Sequence, residues 1–329
     1  MRWTRGMAVR ASALVVGLGL FGFSAMPAQS LDKFVALGTE SKPGVYHSVG
    51  KGICGLLNKR RDETLVRCLT LNTGGTVYNI QAITTGELNA AIVQADLLSY
   101  AFRGAKNFKA QGENKDLRVI AHLYRMPVHV VVKQDADVNS YDSLPGVRLN
   151  IGNQGSGERA LADILFALQG WRKADFAEIH ELNTSQYPKA FCDGKIDAFI
   201  EVIGLPSAAL DRLISDCGAV LLPMPKNTIH AFRNLGPFYK NAKIRKGEVR
   251  GHTAVIRTVR IAAVLATSVR THPDTVYHLT SAIMDNFAKF QNIHPTLKAV
   301  SMGDMYAVGS VVPYHSGALK YYKTKERQK

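Results

Sequence analysis

Apolar and polar positions follow a recurring order along this chain: a short apolar run, a glycine-bearing turn, then apolar residues at helical spacing. Phe34-Val35-Ala36-Leu37 predicts a short strand, after which Val45, Val49, Ile53, Leu56 and Leu57 mark one face of a helix. Pro43 before that helix and Lys59-Arg60-Arg61 at its end match start and stop signals. Residues 65–71 predict a second strand, which leads through Asn72-Thr73-Gly74-Gly75-Thr76 into a helix carrying Val77, Ile80 and Ile83 and stopping at Gly86. Ala91-Ile92-Val93-Gln94-Ala95-Asp96 then reads as a strand that returns Gln94 and Asp96 to the rim where the glycine turn sits.

Residues 117–124 and 128–132 predict two strands around Pro127, the second apolar enough to be buried on both faces. Past the turn Ser143-Leu144-Pro145-Gly146 and a strand at 147–151, Gly152-Asn153-Gln154-Gly155-Ser156-Gly157 opens a helix. That helix turns Ala160, Leu161, Ile164, Leu165 and Leu168 inward and ends at Gly170. Gly194-Lys195-Ile196-Asp197-Ala198-Phe199-Ile200 then repeats the pattern of Gly86-Glu87-Leu88-Asn89-Ala90-Ala91-Ile92-Val93: glycine, charge, apolar residue, polar residue, buried strand. A shared plan in two lobes follows, and with it an α/β fold of mostly parallel sheets. Residues 218–222 read as the last strand of the second lobe, and 260–267 as a long strand crossing back to the first. The stretch 223–251, rich in Pro, Gly, Asn and Lys, predicts no element. The expected lobes are 31–126 with 256–329, and 127–255.

Composition adds a compartment. Arg2, Arg5 and Arg10, an apolar run at 11–23 and Ala28-Gln29-Ser30 fit a secretory signal with a cleavage site, so residues 1–30 are set aside and export is expected. An uncleaved anchor is the alternative. What remains of the 329 residues is too long for one ordinary core and suits two lobes. The formal charge of +15 is spread along the chain apart from Lys59-Arg60-Arg61 and the tail at 320–329. It predicts a solvated basic surface that attracts anions, with no nucleic acid as partner. Cys54, Cys68, Cys192 and Cys217 allow three pairings. Sequence neighbours fall inside one lobe, which favours Cys54–Cys68 and Cys192–Cys217 as disulfides. No CxxC spacing occurs, and neither a metal nor any other cofactor is expected.

The catalytic patterns fail. Ser156 lacks the flanking glycines of a nucleophile elbow, Gly44 to Gly52 has the wrong spacing for a phosphate loop, and HExxH is missing. His122 and His129 flank Pro127 on the expected strand pair, where ordinary packing or capping is preferred to ligand contact. Recurrence is what stands out. Gly38-Thr39 to Gly44-Val45-Tyr46, Thr73-Gly74-Gly75-Thr76 and Gly155-Ser156-Gly157 each end a strand in glycine and hydroxyl residues before a helix. Each offers backbone N–H donors and a hydroxyl suited to carboxylate oxygens, although any one alone is also an ordinary capped turn. Convergence of the three on one cleft would make an anion site at the carboxyl ends of the strands.

As an ordered set, Gly38-Thr39, Gly44-Val45-Tyr46 with Gly50, Thr73-Gly74-Gly75-Thr76-Val77, Ile92-Val93-Gln94-Ala95-Asp96, Gly155-Ser156-Gly157, and Gly194-Lys195-Ile196-Asp197-Ala198 with Gly204 and Pro206 resemble known motifs. They are similar to those of the TAXI-type solute-binding proteins of tripartite ATP-independent periplasmic (TRAP) transporters. The four cysteine positions resemble a proteobacterial branch of that family. The resemblance implies a two-lobed periplasmic binding protein, not an enzyme, with a type II-like fold. It would close as a monomer over a small carboxylate, glutamate-like compounds or dicarboxylates among them, and deliver it to membrane permease subunits. It implies ligand contacts from Thr39, Val45, Tyr46, Thr73, Gly74, Gly75, Thr76, Gln94, Ser156 and Gly157. Asp96 is left between binding an ammonium and a structural role, and Glu201 between cleft and sheet. A sensory protein presenting its ligand to a receptor, and a secreted hydrolase with a dispersed site, are the competing functions. Two departures touch the expected cleft: Glu40-Ser41-Lys42-Pro43 replaces a glycine-rich run, and Tyr124-Arg125-Met126-Pro127 replaces Tyr-Pro-Glu-Pro. Lys42 and Arg125 are therefore expected to favour a more anionic ligand than glutamate.

Overall fold

The computed structural model describes Met1 and residues 33–306 and 310–326; the expected export segment lies outside the described residues apart from Met1. The strands are β1 (Lys33–Gly38), β2 (Val66–Leu71), β3 (Ala90–Gln94), β4 (Leu117–Lys133), β5 (Arg148–Asn150), β6 (Glu178–His180), β7 (Ala198–Val202), β8 (Ala219–Leu222), β9 (Lys240–Ile244) and β10 (Ile256–Ser268). Between the early strands lie helices α1 (Val45–Asn58), α2 (Arg61–Thr64), α3 (Thr76–Thr85) and α4 (Ala95–Arg103), followed by α5 (Gly157–Gln169), α6 (Tyr187–Cys192) and α7 (Ala208–Cys217). The remainder are α8 (Lys226–Leu235), α9 (Pro273–Met284), α10 (Phe287–Gln291), α11 (Met302–Met305) and α12 (Ser316–Glu326).

Strand order explains why the sequence repeats itself. One half of the sheet runs β2-β1-β3-β10-β4 and the other β6-β5-β7-β4-β8. In each half four strands are parallel, and one, β10 or β4, runs against them. β3 and β7 occupy the same place in the two halves, and they are the strands on which the repeated glycine-charge-apolar pattern falls. Both are buried at all five positions, as expected of parallel strands covered on both faces. The α/β class and its mostly parallel character are thus present.

Residues 117–133 form one continuous strand where the sequence suggests two. β4 pairs with β10 as far as Pro127, opposite Arg260, and from Val128 onward pairs with β7 and β8. Proline brings no N–H to a ladder, so the changeover between partners is a position that tolerates it. The hydroxyl of Thr258 in β10 donates to Val128 O at 2.6 Å beside this changeover. The stretch that predicts no element supplies α8 and β9. β9 pairs with β10, and Tyr239, just before β9, donates its hydroxyl to Asp96 Oδ2 at 2.7 Å. After β10, α9 packs on α1 and α12 on α9.

The disulfides are Cys54–Cys68, tying α1 to β2, and Cys192–Cys217, tying the ends of α6 and α7. Both are the pairs favoured from sequence. In the chain-entropy view a closed loop of about 15 residues stabilises by about 3 kcal/mol. Replacing Cys54 and Cys68 together by serine should therefore lower the urea midpoint by an amount corresponding to about 3 kcal/mol; an unchanged midpoint would contradict the assignment of stability to this link.

Candidate functional site

The loops leaving the carboxyl ends of the parallel strands converge, and two of the expected cradles touch each other. The chain leaves β2 and turns at Gly75, whose φ of 105° is one that glycine adopts without strain, before α3 begins. A Cβ at Gly75 would stand 3.1 Å from Ser156 Cα. The N–H groups of Val77 and Tyr78 donate to Gly155 O at 2.9 and 3.2 Å, and Asn153 Nδ2 donates to Gly74 O at 3.0 Å. These donors at the start of α3, expected to face an anion, are satisfied instead by a carbonyl from the other half of the sheet.

The hydroxyls of the turn are likewise engaged within the protein. Thr39 Oγ1 donates to Leu71 O at 2.7 Å, and Thr73 Oγ1 lies 2.9 Å from Thr39 O and 2.7 Å from Asn79 Oδ1. Thr76 Oγ1 accepts the Gln94 N–H at 3.3 Å, while Ser156 caps α5 by accepting the Arg159 N–H at 3.1 Å. A Cβ on Gly157 would collide with the buried Gln94 carboxamide, so the missing side chain is what lets β3 and α5 meet. Thr39, Thr73, Gly74, Gly75, Thr76, Gln94, Ser156 and Gly157 are thus gathered into one junction between the halves.

Val45 and Tyr46 lie elsewhere, in the wall of a neighbouring cavity of about 520 Å³ at the starts of α1 and α6 and the end of β7. Glu40, Tyr124, Thr184, Tyr187, Glu201 and His294 share that wall. Ser41 and Thr184 close one side, hydroxyl to hydroxyl at 2.8 Å. Glu40 folds back so that its Oε1 accepts the Tyr46 N–H at 2.8 Å. Glu201, inside the wholly buried β7, is 4% exposed, and its Oε2 has no hydrogen-bond partner within the protein. The Tyr124 hydroxyl and Gln94 Oε1 are also buried without partners.

Electrostatics follow from burial. Loss of water, and then the nearby Glu158, hold Glu201 well above the usual carboxylate range. Glu40 is raised by burial, then by Glu158, against the lowering effect of the Tyr46 N–H. Burial also raises Tyr46, Tyr124 and Tyr187, which stay neutral. Among the described residues no cation compensates in the interior: Arg159 is engaged by Glu181 and Asp163, Lys189 is exposed and bonded to Asp193 at 2.6 Å, and Arg212 is exposed.

The two cations expected to tune the ligand stand apart from this wall. Lys42 is exposed, and Arg125 pairs with Asp304 at 2.8 Å. Arg125 lines a second cavity of about 1060 Å³, bounded by β4, β9 and β10 together with Leu205 and Pro206 after β7 and residues 245–248 after β9. Asp96 does not reach the rim; it is 0% exposed in the first turn of α4, bonded to Tyr239. Sequence reasoning passed over Tyr187 and Thr184 and treated Glu40 only as a departure. Glu201 was legible as a carboxylate inside an unbroken apolar strand, a costly placement that asks for a reason. Among the described residues no cluster of His, Cys, Asp or Glu suits a metal ion, and no helix is long and apolar enough to cross a membrane.

A family model described as the NMT1-like family matches residues 37–325. The chain belongs to that family. Among solved structures, this NMT1-like chain is similar to a protein of Bordetella bronchiseptica RB50, with a TM-score of 0.54 and 15% identity over 90% of each chain. It is similar to the periplasmic binding protein BugD, with a TM-score of 0.53 and 12% identity over 91% of this chain and 95% of that one. A putative L-cystine ABC transporter protein of Listeria monocytogenes gives a TM-score of 0.51 at 11% identity, over 83% of this chain and all of its own. At these identities the NMT1-like chain shares a fold with them, that of periplasmic binding proteins.

Two substitutions probe this geometry. Gly157→Ala should displace the Gln94 carboxamide and cost about 1 to 3 kcal/mol, and the double variant with Gln94→Ala should recover most of it; equal losses in both would remove Gln94 from the explanation. Burial raises Asp96 to about 6, the Tyr239 hydroxyl and helix N–H groups opposing. The folded chain then binds this proton more tightly than the unfolded one, so the Asp96 contribution to stability falls as pH rises from about 4 to about 6. Asp96→Asn should gain about 2 to 3 kcal/mol on the wild type across that window, measured by urea titration at both ends of it.

Proposed function

We propose that this NMT1-like protein is the exported solute-binding component of a membrane transporter. It captures a small polar organic molecule in the 520 Å³ cavity by closure of two lobes, 31–126 with 256–329 and 127–255, about β4 and β10. The observation that carries the reading is the cavity itself: loops from both halves line it, and buried polar atoms in and beside it lack partners. Unpartnered buried groups cost free energy that a bound polar molecule can return. BugD, which shares the fold, is a periplasmic binding protein.

The resemblance of the loop motifs to TAXI-type proteins supports delivery to the permease of a TRAP-type transporter driven by an ion gradient, with the binding protein working as a monomer. The contact of Gly155 O with the N–H groups of Val77 and Tyr78 acts as a latch for the closed arrangement. The carboxylate implied by the resemblance has to share its cavity with Glu40 and Glu201. A glutamate-like solute with an amino group is compatible with that lining, whereas a plain dicarboxylate brings like charges together in a poorly solvated space.

A thermal-shift screen of amino acids, amines, keto acids and dicarboxylates on the mature chain tests the reading. A true ligand at 100 times its Kd should add about 2.7 kcal/mol of stability, and small-angle scattering should contract on its addition. No shift from any compound, with unchanged scattering, would count decisively against it.

A further inference from the structure

Buried carboxylates are kept where a positive partner, a metal or bound polar groups offset their lost hydration. Glu201 has no cationic partner among the described residues, although it is almost wholly buried in β7 and opens onto the cavity. The nearby Tyr187 hydroxyl and Val202 N–H favour its charged form, while Oε2 has no hydrogen-bond partner in the protein. Glu40, on the first loop, stands in the same wall, and the rings of Tyr46, Tyr124 and Tyr187 enclose the remaining space. Carboxylates combined with several aromatic faces make a setting for a positively charged nitrogen, which gains from both ion pairing and the ring quadrupoles.

Nothing else nearby takes that role. His129 lies directly opposite Glu201 in the β4–β7 register, and burial lowers it to about 4, so it is neutral. His294 is also lowered by burial. Glu158, in the first turn of α5, adds further negative charge, and Arg159 beside it is committed to Glu181 and Asp163. Lys189, Arg212 and Asp216, which also line the cavity, are exposed.

We propose that the solute carries a protonated or quaternary nitrogen seated between Glu40 and Glu201 among the rings of Tyr46, Tyr124 and Tyr187. The ligand is then an amine or a zwitterion, and a dianion is rejected. This rests on the solute-binding reading and deepens it. The nitrogen takes the place of the proton that the crowded carboxyls hold in the empty cavity, so binding releases protons to solvent.

Four probes on the mature chain test this: 1,4-diaminobutane, choline, 4-aminobutyrate and succinate. At least one of the three nitrogen-bearing probes should raise the melting temperature while succinate does not. Glu201→Gln and Glu40→Gln should each weaken the best probe about tenfold or more. Calorimetry in two buffers of different ionisation enthalpy should register release of up to about one proton. Stabilisation by succinate and by no nitrogen-bearing probe would overturn the proposal and leave solute binding standing. Unchanged amine affinity in both folded variants would overturn it as well. Silence from all four probes would also overturn it, and the wider screen would then decide separately whether the protein binds solutes at all.

Discussion

The constraint on which the rest depends is that β4 belongs to both halves of the sheet. Its first part is held antiparallel to β10 and its second part to β7 and β8, with Pro127 at the exchange. Each half keeps its other strands parallel, so every helix-bearing connection begins at a strand's carboxyl end. Those ends face one another only because a single strand carries the chain from one half to the other. The polar loops after β1, β2, β5 and β7 and the end of β3 at Gln94 therefore meet, and a site between them is a consequence of the crossover.

Within that meeting place two kinds of contact divide the work. The glycine loops at Gly74-Gly75 and Gly155 hold each other through backbone bonds, which requires that no side chain intrude. Beside them lies a cavity whose buried polar groups include the carboxyl of Glu201 and the phenols of Tyr46, Tyr124 and Tyr187, while its two cationic lining residues, Lys189 and Arg212, are exposed. Basic residues dominate the whole chain, yet the interior of this cavity excludes them, because the cations are paired elsewhere or extend into water. Net charge describes the long-range field around a protein; a ligand inside a cavity is governed by the few groups within reach and by how poorly water screens them.

Much of this was legible in the sequence. Periodicity marked β1, α1, β2, α3 and β3, though it split β4 in two and missed α8 and β9, and the repeated pattern at Gly86 and Gly194 marked topologically equivalent strands. The disulfide pairs followed from proximity along the chain. The site was less legible. Thr39, Thr73 and Ser156 were read as free donors, but short polar side chains beside turns satisfy neighbouring backbone groups as readily as a ligand. Arg125 falls in the motif Tyr124-to-Pro127 that the resemblance sets at the cleft wall, yet successive residues of a strand point to opposite faces, and of the two only Tyr124 lines the smaller cavity.

The sequence by itself determined the α/β class with its mostly parallel strands and which loops are rich in glycine and hydroxyls, since these depend on local spacing and backbone freedom. Only the tertiary structure decided which loops face each other, that α3's leading N–H groups are occupied by Gly155, and that Glu40 and Glu201 share a cavity whose lining cations, Lys189 and Arg212, are exposed. Residues 161 positions apart become neighbours through strand crossover and packing, and no periodicity in a linear chain encodes the distance between two such side chains.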